Sequence, residues 1–496
     1  CEGVFSDCKN LRKISFDEGS RLKFIDKDAF SWSSLQCLNL PENVHLREGW
    51  CNGTSELTQF SVSPINKTLG CIGTDFIVGK SKRNLNNYDL LYFARRDIEN
   101  AVIPPNIKRI CSFAFHSCSK LKSIQFPGDS QLKYIDQYAF SWASLIKIVI
   151  PDQVRKIRQF AFSECPELKT VEFTDNSKLQ SIKEYAFSSS SLESIKIPAH
   201  VNQIGKHAFS WCRHLVNVSF ADKSELSSFE KNVFHQTLIE NIIIPSQIHK
   251  IGEGAFSKCS NLKTVSFLED SKLKSIDKNA FSGSSLQKII MPSSLENLKD
   301  GWCWGTSNVF NIQVPSLNKN FGSVQNDFII GKSDDQTNEY DTLIFARKDT
   351  INAVIPANIK KIAAFAFDQC QKLKSVVFEQ PEVPIKTQLP PIPTPSSDSA
   401  SSLSGNAEDE QEDESKKIKL PQQIEDSAFR GCSSLESVEI IGDEVCVGED
   451  AFSSCKNLRV ISFPNACLFS VSNDSFKGAP HSFALFVKAG AELVYN

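Results

Sequence analysis

The sequence predicts a mostly β repeat solenoid, and three observations predict it. A phenylalanine returns at alternating intervals of 25 and 22 residues, each interval holds a Leu-x-x-Ile-x-Ile/Phe stretch, and a proline closes the shorter intervals. The phenylalanines are Phe115, Phe140, Phe162, Phe187, Phe209, Phe234, Phe256 and Phe281.

The longer coil runs Ala161-Phe162-Ser-Glu-Cys165-Pro-Glu-Leu168-Lys-Thr-Val171-Glu-Phe173 and then places Leu179 and Ile182. The shorter runs Ala186-Phe187, Leu192, Ile195, Ile197-Pro198, then Val201 and Ile204. Alternation with period two marks a strand with one buried face, so each coil is expected to supply one short strand. Pro151, Pro198 and Pro245 lack an N–H and stop the strand. The Ala-Phe pair is expected in a tight turn or short helix on the far side. Burying each Phe, Leu or Ile contributes about 1.5–3 kcal/mol, so many equivalent layers share the stability.

The chain is also duplicated at a larger scale. Gly49-Trp50-Cys51 recurs as Gly301-Trp302-Cys303, and both copies then leave the coil spacing. Asp75 to Lys80 and Tyr88 to Asp97 are matched by Asp327 to Lys332 and Tyr340 to Asp349, two apolar runs about a polar turn, which predict a β-hairpin island in each copy. Prolines from Pro381 to Pro395, a Ser-rich stretch and the acidic run Glu408 to Glu414 predict a disordered insert. The boundaries are therefore repeats over 1–46, an island over 47–100, repeats over 101–298, the duplicate island over 299–352, repeats over 353–378, the insert over 379–417, repeats over 418–475 and a C-terminal cap over 476–496.

With Ala-Phe-x-x-Cys-x-x-Leu-x-x-Ile-x-Phe and Ile-Pro-x-x-Val-x-x-Ile-x-x-x-Ala-Phe in view, the chain resembles BspA-like leucine-rich-repeat proteins, most closely the protist surface-antigen branch. The resemblance implies a leucine-rich-repeat solenoid at the cell surface or secreted, used in adhesion, with a protein or glycan ligand, no cofactor and no catalytic residues. It is a fold-level analogy.

At 41% hydrophobic and 23% charged the 496 residues can bury a large core, and the formal charge of −3 with singly scattered Lys and Arg argues against a nucleic-acid partner. No run of 18 apolar residues occurs, and the chain opens in mid-repeat at Cys1 without a signal-like stretch, so it is expected to be a fragment or a gene model missing its start. An intracellular protein-binding scaffold or regulator is the competing reading, favoured by the cysteines and by the missing signal. Eight of the sixteen, Cys8, Cys118, Cys165, Cys212, Cys259, Cys370, Cys432 and Cys455, fall three residues after the Phe. Two coils separate most neighbours, roughly 10 Å and too far to bridge, so buried reduced thiols are expected. Cys1, Cys37, Cys51, Cys71, Cys111, Cys303, Cys446 and Cys467 leave disulfides open. Gly79-Lys80-Ser81 and Gly331-Lys332-Ser333 imitate the end of a phosphate-binding loop but lack its first glycine, and are expected in hairpin turns. No metal-binding or catalytic motif stands out. Asn52, Asn66, Asn217 and Asn473 lie in sequons and are possible glycosylation sites.

The candidate binding residues are the outward strand positions, which stack in two columns. One holds Lys147, Thr170, Ser194, Asn217, Asn241, Thr264 and Lys288, the other Val149, Glu172, Lys196, Ser219, Ile243, Ser266 and Ile290. Small polar residues with isolated Lys, Val and Ile suit a protein or glycan better than a polyanion. The same β-branched residues also favour strand formation.

Overall fold

A computed structural model describes residues 1–17, 19–82, 86–333, 339–379, 421–472 and 474–495. It divides into two compact units, the first Cys1–Gly331 with Ile344–Asp349 and Phe365–Cys370, the second Lys332–Leu343, Thr350–Ala364 and Gln371–Asn496.

In the first unit each regular coil has three sides. One carries strands such as Lys147–Ile150, Thr170–Phe173, Ser194–Ile197 and Asn217–Phe220, paired in parallel with inward Ile and Val and outward polar residues. The second carries two-residue strands such as Lys156–Ile157, Ser181–Ile182 and Gln203–Ile204, also parallel. The spacing predicts one strand per coil, and the structure has two. The second strand is too short to leave a periodicity. The third side is a turn, and no helix occurs among the described residues.

The turns stack by main chain and by ring. Phe140 N donates to Ala161 O at 2.8 Å, Phe162 N to Ala186 O at 2.7 Å and Phe187 N to Ala208 O at 2.8 Å. The rings of Phe140, Phe162, Phe187 and Phe209 lie near parallel at 5.0, 5.2 and 5.4 Å, close to the ~4.8 Å step between adjacent strands. Two residues to either side of each Phe the backbone turns left-handed, as at Tyr185 (φ 56°) and Ser189 (φ 57°). Bulky residues rarely adopt that conformation. Phe113, Tyr138, Phe160, Tyr185 and His207 do so in five successive coils and stack at 4.6–4.9 Å, which offsets the strain.

On the first side the strands couple in twos. All four residues of Ser194–Ile197 pair with Asn217–Phe220, but Thr170–Phe173 pairs with Ser194–Ile197 only through Thr170 and Ser194, and Asn217–Phe220 has no ladder pair with Asn241–Ile244. Proline gives the reason. After the longer coil's strand, Ala221 N donates to Ile197 O at 2.9 Å. The same place in the shorter coil is Pro198 or Pro245, with no hydrogen to return to the coil before it.

The first island is more than a hairpin. Leu69–Ile72, Phe76–Gly79 and Leu90–Ala94 form an antiparallel meander, and the last of these pairs in parallel with Arg109–Ile110, rejoining the second side. Gln59–Val62, expected inside the island, still pairs with Cys37–Leu40 as a regular coil strand. The hairpin expected at Gly79-Lys80-Ser81 is present. Ser81 N and Oγ both reach the Asp89 carboxylate at 2.7 Å and Lys80 lies over the Tyr88 ring, so this is a turn clamp with no phosphate cradle.

The second unit repeats the plan. Asn352–Ile355, Ser375–Phe378, Ser437–Glu439, Val460–Phe463 and Ala484–Val487 are parallel on one side. On the other, Lys361 and Ile362 pair directly with Gln423 and Ile424, so the coil register resumes after the stretch 379–417, which apart from Glu379 lies outside the described residues. Within 476–496, expected as a cap, the described residues 476–495 build a further coil: Phe476 stacks on Phe452, and Glu492–Tyr495 pairs with Leu468–Val471. The Ser333 and Asp341 clamp duplicates that of Ser81 and Asp89.

Where the first island joins the coils, Arg96 is buried and donates to the carbonyls of Thr54, Ala114 and Phe113 at 3.1, 2.9 and 3.2 Å, its guanidinium 4.2 Å from the Phe93 ring centre. In the duplicate, Lys348 takes this place over Phe345 and donates to Asp368 O at 2.6 Å. Arg96→Lys should therefore lower stability far less than Arg96→Ala, which leaves Thr54 O without its donor at about 1–3 kcal/mol and takes the second donor from Ala114 O and Phe113 O, each of which keeps a main-chain N–H. Urea denaturation of the two variants checks this, and equal losses would count against the clamp.

Two buried groups titrate in opposite senses. Burial, with the charge of Arg96 adding to it, holds His116 down to about 3, whereas burial lifts Asp136 to about 6 against the pull of Arg109 and Arg158. Below pH 6.5 the unfolded chain protonates at His116 and the native one does not, so stability falls as pH drops toward 3. For Asp136 the native chain takes the proton first, so stability rises as pH drops from about 6 toward 3.8. Relative to wild type, His116→Phe should lose acid sensitivity and Asp136→Asn should gain it, by up to about 1.4 kcal/mol per pH unit. Thermal melts between pH 7 and 4 read both slopes.

Candidate ligand-binding face

The outward positions lie where the spacing predicts. Lys147, Val149, Glu172, Ser194, Lys196, Asn217, Ser219, Asn241, Ile243, Ser266, Lys288 and Ile290 are exposed and Thr170 and Thr264 half-buried. They align as two columns in which Lys147 faces Thr170, Ser194 faces Asn217, Asn241 faces Thr264 and Thr264 faces Lys288, with Val149 facing Glu172, Lys196 facing Ser219 and Ile243 facing Ser266. Ile243 keeps 62% of its surface in water, more than the 44% of Val149.

Within couplets the column residues satisfy one another. Lys147 Nζ meets Glu172 Oε1 at 2.6 Å, Thr264 Oγ1 donates to Asn241 Oδ1 at 2.5 Å, and Ser123 Oγ to Asn100 Oδ1 at 2.6 Å. Between couplets the broken ladder leaves hollows. The larger, about 1070 Å³, opens where Asn217–Phe220 and Asn241–Ile244 fail to pair, and its walls include Phe220, Glu225, Ile243, His249 and Leu268. A smaller one of about 410 Å³ lies between Glu172, Phe173, Lys196, Pro198 and His200. The columns thus border two concavities whose rims, His200 with Glu225 at 2.8 Å among them, come from the loops after the strands. The sequence reading missed those rims. Their only signal is the contrast between Ile-Pro and a half-buried Phe at the strand ends.

The sequons occupy different settings. Asn217 is exposed in the first column and Asn52 half-exposed in a turn, while Asn473 lies outside the described residues. Asn66 is buried: its amide donates to Pro41 O and Val44 O and its carbonyl accepts from Thr68 N and Leu69 N, which argues against a glycan there. Asn318 makes the corresponding bonds in the duplicate without a sequon, so the asparagine serves the turn.

All sixteen cysteines are free. At the repeat position Cys165 Sγ donates to Phe140 O and Cys212 Sγ to Phe187 O, each at 3.0 Å, so the thiol closes the turn of the coil before it. Burial pushes Cys165 up to about 12 and Cys212 to about 11. Cys8 departs from the expectation in being only half-buried. Among the described residues no three His, Cys, Asp or Glu side chains are grouped to hold a metal, and no helix is long and apolar enough to cross a membrane.

The family model described as BspA type leucine rich repeat region, in six copies, matches residues 1–79, 89–216, 180–309, 338–387 and 411–484. The chain belongs to the BspA-type leucine-rich-repeat family. Among solved structures it is similar to a leucine-rich repeat protein from Bacteroides ovatus, at 19% identity over 86% of this chain and 90% of that one with a TM-score of 0.54. It is also similar to a leucine rich cell surface protein from Faecalibacterium prausnitzii, at 18% identity over 87% and 95% with a TM-score of 0.48. No curated protein matches. BspA-type repeats generally occur in protein-interaction or surface-antigen proteins.

Native protein should leave Cys165 and Cys212 unmodified by a thiol reagent while the exposed Cys71 and Cys446 react. Mass spectrometry before and after denaturation reads this, and rapid native labelling of Cys165 would contradict its buried place.

Proposed function

We propose that the protein is a non-enzymatic binding protein of the surface or secreted adhesin class, which presents the exposed strand face to a host or microbial protein or glycan. The observation that carries this is the pair of outward columns bordering the hollow at Ile243. Core and turns are held by inward residues and main-chain bonds, so these outward side chains are free to vary without cost to the fold. Exposed Ile and Val beside hydroxyl, amide and lysine groups supply an apolar centre with a polar rim, the composition of a protein interface. Family membership supports the surface setting. An intracellular scaffold would use the same face, and sixteen free thiols are the observation in its favour.

Replacing Lys196, Asn241 and Ile243 together with Glu should abolish attachment to host cells or pull-down of a partner while leaving the melting temperature within a few degrees. Unchanged binding by the folded variant would place the function away from this face.

A further inference from the structure

The second side of the first unit carries a groove the strand-face reading does not use. It spans the two-residue strands from Lys156–Ile157 to Ser228–Phe229, with a volume of about 570 Å³, and Gln137, Gln159 and Gln203 contribute to its walls. Gly205 helps to form it. A Cβ there would meet Glu184 N at 2.6 Å, so this coil lies hard against the one before it and offers no side chain where its neighbours carry Lys183 and Glu230.

The charge of this side is biased. Between residues 131 and 206 it carries Lys133, Arg155, Lys156, Arg158, Lys183 and Lys206 against the acids Asp136 and Glu184, in a chain whose formal charge is −3; the groove's other two carboxylates lie outside that span, Glu48 paired with Arg109 and Glu230 accepting from Ser228 Oγ. Asp136 is buried between Arg109 at 3.4 Å and Arg158 at 3.1 Å. Lys156 and Lys206 on the rim form no ion pair among the described residues, and Lys183 meets an amide, Gln203. Beside the groove runs the ring ladder of Tyr138, Phe160, Tyr185 and His207.

We propose that this groove binds an acidic polysaccharide, its sugar units bearing carboxylate or sulfate groups. Unpaired lysines two coils apart, roughly 10 Å, meet sparse negative charge. The glutamine amides, each both donor and acceptor, match sugar hydroxyls. A nucleic acid fits less well. Its bases need open aromatic faces, whereas these rings are stacked on one another and present edges. The proposal concerns a different side from the strand columns and stands whether or not those bind a partner.

The test uses the full chain, with heparin and polygalacturonate separating sulfate from carboxylate, dextran as the neutral polymer and a single-stranded oligonucleotide as the rival polyanion. We expect retention of one or both acidic glycans, weakening as salt rises, with none for dextran. Lys156→Glu with Lys206→Glu should weaken binding at least tenfold. The charge-matched control Lys120→Glu with Lys263→Glu, at exposed lysines outside both the groove and the columns, should change it less than threefold. If the groove variant unfolds, Lys156→Gln with Lys206→Gln replaces it, with the same loss expected. Equal losses in groove and control variants, binding to neither glycan, or an oligonucleotide bound as tightly as the better glycan would each overturn the assignment.

Discussion

The structure of the first unit depends on the turn-to-turn contact, in which the Phe N–H reaches a carbonyl of the following coil, an Ala in most coils and Val233 in one, while the rings from Phe115 to Phe281 lie one on the next. That contact fixes the step at about 4.8 Å, and the remaining sequence rules follow from it. A 25- and a 22-residue coil can alternate only because both bring Ala-Phe back to the same place, the difference being absorbed in the loops. The residue three after the Phe must be small enough to sit inside the turn. Where it is cysteine, as at Cys165 and Cys212, the thiol also donates to the Phe carbonyl one coil back. Left-handed backbone on both sides of the Phe is the cost of so tight a turn, met by Gly254 in one coil and by stacked rings in others.

Because turns and core carry the stability, the outward strand positions are released from structural duty, and they could be identified from spacing alone. The hollows among them arise differently. Proline after the shorter strand removes one donor, the ladder thins or lapses toward the preceding coil, and concavities open at alternate steps. A residue whose local role is to end a strand thereby shapes the surface presented to a ligand.

How much was legible follows from which signals repeat. The inward Leu, Ile and Phe, the cysteine column and both outward columns recur with the coil, so their placement follows from the spacing, with Cys8, only half-buried, the exception. Three features do not follow from it. Strands such as Lys156–Ile157 span two residues, too few for an alternation. Leu69–Ile72 contains a glycine and a cysteine, a weak strand signal, and is held by its antiparallel neighbour. The continuation of the coils through 476–495 lacks the Leu and Ile spacing but keeps the main-chain pairing, which composition does not reveal. The Asn66 sequon shows the reverse error, a motif legible in sequence whose asparagine is consumed by a turn.

Charge is where linear reading misleads most in a coil of this kind. Lysines and arginines 22 to 25 residues apart look scattered along a chain, and for a compact fold that dispersal argues against a polyanion. In a solenoid the same interval is one step, so residues such as Arg158 and Lys183 lie in adjacent coils on one side. Sign bias must therefore be judged within each column. Applied to the strand face the test still returns a mixed surface, since Lys147 pairs with Glu172. Applied to the second side between residues 131 and 206 it returns an excess of cations in a chain that is acidic as a whole. The two sides of one coil can thus face chemically different partners, because the inward residues that hold the coil together constrain neither.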